Sequence, residues 1–135
     1  PVSAERVTYV DSSAIVKLAV REPESAALKT YLRRRQPLVC SALARTEVIR
    51  ALLPLGDETI RRGKLVLSRF ELVRLGLQVL DQAGILQPRG LRSLDAIHLA
   101  TADLLGDRDQ TLIVTYDRRM AQAAADLGWR VAAPA

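Results

Sequence analysis

A mostly parallel α/β fold, with helices covering both faces of one central sheet, is predicted by three observations. Short apolar runs recur along the chain, each too brief for a helix and rich in β-branched residues. Longer stretches with helical spacing of apolar residues separate them. Polar helix-start residues follow two of the runs directly, at Asp11 and at Asp117. Strands separated by helices imply right-handed crossovers and parallel pairing, and in such sheets ligands bind beyond the carboxyl ends of the strands.

The elements follow in order. Residues 6–10 read as a strand, and Asp11-Ser12-Ser13 leads into an apolar helical turn through Ala19. Glu22-Pro23-Glu24 opens a second helix, to about Arg35. Residues 38–40 form a short buried strand, and Ser41 caps a helix over 42–53 that Pro54 and Gly56 interrupt. Asp57 caps the next helix, to about Phe70. Residues 71–75 fit a short strand, 76–86 a helix, and Gln87-Pro88-Arg89-Gly90 a turn. Ser93 caps a helix over 94–105, with Gly106 and a charged loop beyond. The clearest strand is 111–116, followed by a helix from Asp117 to Leu127 and a last strand at 129–131.

The 135 residues, 49% of them hydrophobic, suffice for one well-formed core, so residues 1–135 are expected to make a single domain. With one cysteine, Cys40, no intrachain disulfide can form, and its apolar neighbours mark it as a strand residue rather than a nucleophile. Glu5 and Arg6 lie where a secretory apolar segment would run, and no apolar run reaches membrane-spanning length. A cytoplasmic protein without membrane contact is the expectation.

Four carboxylates stand where this fold would converge them: Asp11 after the first strand, Glu47 within a helix, Asp95 in a first helical turn and Asp117 after the late strand. Each has a purely structural alternative. Asp11, Asp95 and Asp117 all suit helix starts, and Glu47 has an ion-pair partner one turn away in Arg50. Glu47 is nevertheless the most diagnostic, because Leu43, Ala44 and Ala51 surround it. Grouping buried carboxylates raises their pKa values, so four together stay ionised only beside a compensating cation. A hard, oxygen-seeking ion such as Mg²⁺ suits such a set.

The charge balance points the same way. The chain carries +5, and without those four acids it would carry +9, with 20 basic side chains against 11 acidic. An acidic centre in a basic body suits metal-assisted phosphodiester chemistry, since the body attracts a polyanion and the metal separates it from the carboxylates. Arg118 and Arg119, beside Asp117, are the best candidates for phosphate contacts, with a solvated charged face as the alternative, and Tyr116 is the aromatic to test as a stacking residue, with packing against the sheet as the favoured alternative. The hydroxyls of Ser13 and Thr115 are placed to fix carboxylate rotamers. His98 reads as a hydrogen-bonded structural residue, and Asp103, Asp107 and Asp109 as surface acids.

Val10-Asp11-Ser12-Ser13-Ala14, Thr46-Glu47-Val48, Leu94-Asp95-Ala96-Ile97-His98-Leu99-Ala100-Thr101-Ala102 and Thr115-Tyr116-Asp117-Arg118-Arg119 together resemble the successive motifs of a PIN-domain ribonuclease of the VapC toxin type. The resemblance covers essentially the whole chain, and its segment around Asp95 is the most specific. It implies a three-layer α/β/α PIN-like fold and endoribonuclease activity dependent on Mg²⁺, with Mn²⁺ as a substitute. Asp11, Glu47, Asp95 and Asp117 would then be both catalytic and metal-binding, Asp11 and Asp95 most directly. It further implies a homodimer, a VapB-type antitoxin forming a hetero-oligomer with the toxin, and an RNA substrate, with tRNA and ribosomal RNA as structured examples. The alternatives are a non-catalytic RNA-binding or regulatory module of the same fold and a receiver-like phosphoacceptor domain. The latter lacks its adjacent acidic pair here, and Ser13 stands where a haloacid-dehalogenase phosphatase needs a second Asp.

Overall fold

A computed structural model describes residues 6–135; Glu5, weighed above, lies outside them. Five parallel strands form one sheet: β1 (Val7–Val10), β2 (Leu38–Ser41), β3 (Glu71–Val73), β4 (Thr111–Val114) and β5 (Arg130–Ala132), in the order β3-β2-β1-β4-β5. The seven α-helices among the described residues are α1 (Ser12–Ala19), α2 (Ser25–Leu32), α3 (Ala44–Leu52), α4 (Asp57–Leu67), α5 (Leu77–Ile85), α6 (Ser93–Leu105) and α7 (Arg118–Asp126). The result is the expected three-layer α/β/α arrangement.

The chain winds outward from β1 through β2 to β3, then crosses back to β4 and β5 on the other side of β1. Because each parallel crossover is right-handed, reversing the direction moves the connecting helices to the opposite face. Helices α1 to α4 accordingly pack on one another, while α5 packs on α6 and α7 on β5. The reversal opens a crevice where β1 and β4 run side by side, paired from Val7–Thr111 to Val10–Val114. Asp11 leaves β1 there, with its N–H donating to the Val114 carbonyl at 3.0 Å.

The strands are nearly continuous apolar runs because both faces are covered, and Tyr9, Val10, Ile113 and Val114 are fully buried. Ile15 and Leu28 on one side and Leu99 and Met120 on the other complete the core. Cys40 is buried in β2, and burial pushes its thiol well above its usual pKa. No helix among the described residues is long and apolar enough to cross a membrane.

Several boundaries differ from expectation. Ser41 ends β2 instead of capping a helix; its hydroxyl accepts from the Leu43 N–H at 3.0 Å, and α3 begins only at Ala44. Gly56 precedes α4 at φ 97°, a conformation that disfavours side chains, so Asp57 lies inside the helix rather than at its cap. Helix α4 also stops at Leu67, short of Phe70, and the residue capping α6 is Arg92, not Ser93. Strand β4 ends at Val114, which leaves Thr115 and Tyr116 in the loop above the sheet.

Candidate active site

All four carboxylates lie at the carboxyl end of the sheet, each delivered by a different element. Asp11 caps α1, accepting from the Ala14 N–H at 3.2 Å with Oδ1. Ser13 donates to the same oxygen at 2.6 Å, and Thr115 donates to Oδ2 at 2.6 Å. Both carboxylate oxygens are thereby clamped, one from each side of the β1–β4 crevice. Every one of these partners is neutral. Burial consequently prevails over the hydrogen bonds and raises the pKa of Asp11.

Asp117 caps α7 in the same manner, with Oδ1 accepting from the N–H groups of Arg119 at 2.9 Å and Met120 at 3.1 Å. Its own N–H donates to Thr115 Oγ1 at 3.1 Å, so one hydroxyl ties the Asp11 and Asp117 loops together. Burial opposes ionisation of Asp117, but the backbone N–H groups and the Arg92 guanidinium outweigh it and hold its pKa low. The structural and functional readings of these two acids are thus compatible: each uses part of its carboxylate as a cap.

Glu47 projects from α3, and its partners are Ser12 and His98, not Arg50. Ser12 Oγ donates to Oε1 at 2.6 Å, and His98 Nε2 lies 2.6 Å from the same oxygen. His98, almost fully buried on α6, meets the Tyr9 hydroxyl at Nδ1, 2.6 Å away. Tyr9 already accepts from the Ser41 N–H at 3.1 Å, and burial keeps its phenol protonated, so the hydroxyl donates to Nδ1. The remaining ring proton then sits on Nε2 and donates to Glu47. Burial pushes the Glu47 pKa up, yet the His98 and Ser12 hydrogen bonds more than offset it, leaving the group more acidic than usual.

Asp95 is buried in the first turn of α6, where Arg92 grips it. Arg92 Nε and Nη2 both lie 2.8 Å from Asp95 Oδ2, and Nη2 is also 2.9 Å from Asp117 Oδ2. A guanidinium therefore stands between two of the four carboxylates. Among the described residues no three acidic, His or Cys side chains are drawn together at metal-ligand spacing. The donor set nevertheless suits a hard divalent cation: it consists of carboxylate oxygens, and buried Asp11 has no bonded counter-charge.

Arg118 and Arg119 are exposed on the first turn of α7, next to Asp117. Tyr116 is more constrained: its hydroxyl donates to the Pro134 carbonyl at 2.6 Å, and the Lys17 ammonium lies 4.8 Å from its ring centroid. One ring face is engaged, which confines stacking to the other. Asp103 pairs with Arg108 at 2.8 Å, away from the four acids. Sequence reasoning did not identify Arg92 or the Tyr9–His98 pair as site components. Signals for both exist: Arg92 and Asp95 are opposite charges at i,i+3, and a tyrosine within an apolar strand needs a buried hydrogen-bond partner.

The PIN-domain profile matches residues 8–126. Over 126 residues the chain is 58% identical to Ribonuclease VapC46 of Mycobacterium tuberculosis, covering 93% of this chain and 96% of that protein. It is 34% identical over 131 residues to Ribonuclease VapC47 of the same species, with the same coverage. Among solved structures, a toxin–antitoxin complex from Klebsiella pneumoniae superposes with a TM-score of 0.71 at 21% identity, covering 95% of this chain and 98% of that one. Mycobacterium tuberculosis VapC20, described as a sarcin-ricin loop cleaving toxin, gives a TM-score of 0.70 at 15% identity over 86% and 94% of the two chains. These two structures share the fold, while the sequence profile and the closely matching relatives place the chain in the PIN-domain family, among the VapC proteins.

Proposed function

We propose that this protein is an endoribonuclease toxin that cleaves RNA phosphodiester bonds with the help of Mg²⁺, Mn²⁺ serving as a substitute. The observation that carries the reading is the placement of Asp11, Glu47, Asp95 and Asp117 at the same end of the sheet by four elements, each already oriented by hydroxyl, imidazole, guanidinium or backbone donors. The relatives named ribonucleases support the substrate class. Structured RNAs such as tRNA or ribosomal RNA present accessible single-stranded loops to such a site.

Asp11 and Asp95 would hold the ion most directly, with Glu47 and Asp117 completing the set. A bound divalent ion supplies Lewis acidity toward the phosphodiester and toward water. Glu47 orients the attacking water, because its Oε1 is occupied by Ser12 and His98 and its other oxygen remains as acceptor. Ser13 and Thr115 keep Asp11 in one rotamer. Arg118 and Arg119 bind flanking phosphates.

A VapB-type antitoxin would block this groove, in keeping with the toxin–antitoxin complex among the structural neighbours. A homodimer would cover the exposed apolar side chains of α5, where Leu77 and Ile85 are more than 70% exposed. The competing reading, an RNA-binding module without catalysis, would retain the basic surface but derive no advantage from four acids, which only weaken RNA binding without a metal.

The test is cleavage of total cellular RNA by the purified protein with Mg²⁺ or Mn²⁺ against EDTA, beside Asp95→Asn. Discrete metal-dependent fragments that fall at least about 100-fold in the variant are expected. Equal cleavage by the variant, or none by antitoxin-free folded protein under either metal, would overturn the reading.

A further inference from the structure

We infer that Arg92 is a built-in counter-cation that preassembles Asp95 and Asp117 until the metal displaces it, and that the freed guanidinium then turns to the RNA phosphate. This rests on the proposed metal-dependent nuclease reading and adds a residue to it.

Three observations converge on Arg92. Its Nη2 is shared by Asp95 Oδ2 at 2.8 Å and Asp117 Oδ2 at 2.9 Å, so one nitrogen bridges carboxylates 22 positions apart in sequence and at the starts of different helices. A helix-start ion pair would need Asp95 alone. Second, one positive charge faces two carboxylates there. Those charges would otherwise repel across the crevice, and a dication balances them more fully than a guanidinium does. Third, the Arg92 side chain is 47% exposed and sits at the cap of α6 in extended backbone, with no side-chain bond to the helix backbone. It can leave without disturbing the core.

Its destination adjoins the site. A groove of about 410 Å³ runs between the start of α6 and α7, lined by Leu91, Arg92, Asp95, Arg119, Gln122 and Asp126 among others. Two arginines border this groove, and a guanidinium released from the carboxylates has its planar fork available for a phosphate. Arg92 is thus a positioning residue in the metal-free protein and a phosphate contact in the working one.

Calorimetric titration of Mn²⁺ into RNA-free wild-type and Arg92→Gln protein separates this role from a structural one. Removal of a competing cation should tighten Mn²⁺ binding roughly three- to tenfold, the scale of a partly exposed ion-pair network. Arg92→Lys, which keeps the charge but loses the fork, should fall between. In parallel, the Arg92 Nε–H, which donates to Asp95 Oδ2 at 2.8 Å, should exchange slowly in metal-free protein and faster on saturation with Mg²⁺. Unchanged or weaker Mn²⁺ binding by Arg92→Gln, or an Nε–H that stays protected at saturation, would overturn the inference while leaving the nuclease reading intact. Failure of the wild type to bind Mn²⁺ at all would overturn both.

Discussion

Asp11 is 4% exposed, accepts three hydrogen bonds from neutral donors and is still harder to ionise than an ordinary aspartate, because burial prevails. A carboxyl whose folded pKa exceeds its unfolded one binds more protons in the native state, so its contribution to stability declines as pH rises through that window and stays reduced above it. Asn at this position keeps the acceptor toward Ser13 and Ala14 and offers a donor to the Thr115 hydroxyl. Asp11→Asn should therefore raise the melting temperature of metal-free protein by a few degrees near neutral pH, about the effect of 1 kcal/mol. The difference should vanish in acid, where both side chains are neutral. Thermal unfolding in EDTA across pH checks this, and a variant less stable than wild type at neutral pH would show that the hydrogen bonds, not burial, dominate. Glu47 and Asp117 have lowered pKa values and the opposite pH dependence, but both proteins retain them, so they cancel in the comparison.

At the level of elements, the site depends on how closely α3 approaches its neighbours, since α3 carries Glu47. Helix α4 packs against α3 through Gly63, where an added Cβ would collide with the Leu52 side chain. Leu52 is fully buried and has little room to yield. In a solvated helix, Gly63→Ala would gain about 1 kcal/mol from propensity; here overpacking costs about 1–3 kcal/mol. The expected net result is a loss of about 1 kcal/mol and a melting temperature lower by a few degrees. The proposed metal-dependent cleavage should survive below the transition, because Ser12 and His98 still hold Glu47. A higher melting temperature for Gly63→Ala would mean that α3 and α4 have space to separate.

Across the whole molecule, the basic balance of +5 should make RNA binding strongly salt-dependent. Each phosphate neutralised on a single strand contributes about −0.7 to the slope of log K against log salt. Binding of a short RNA to the Asp95→Asn protein, followed by anisotropy across a salt series, should show that slope reduced by about 0.7 for each of Arg118→Gln and Arg119→Gln. Arg33 and Arg34 follow α2 near the opposite end of the sheet, and Gln at either should leave the slope unchanged. Equal effects at both ends would mean that the general field of the protein, and not contact beside Asp117, governs RNA binding.

The order of strands and helices, the parallel sheet and the four separated acids were all legible in the sequence because local patterns encode them. Apolar runs, helix-start residues and turn glycines act over a few positions, and the family motifs around Asp11 and Asp95 are contiguous. Boundaries were less legible: the expected caps Ser41, Asp57 and Ser93 give way to Leu43, Gly56 and Arg92, none of which makes a side-chain capping bond, so the backbone path into each helix and not a polar side chain sets where it starts. What joins the acids became visible only in three dimensions. Ser12 and His98 reach Glu47 across separations of 35 and 51 residues, Tyr9 meets His98 across 89, and Thr115 clamps Asp11 across 104. Local sequence patterns show which acids are available; chain crossovers and burial decide which donors face each oxygen, and so which carboxylate is hard to ionise and which one shares a guanidinium.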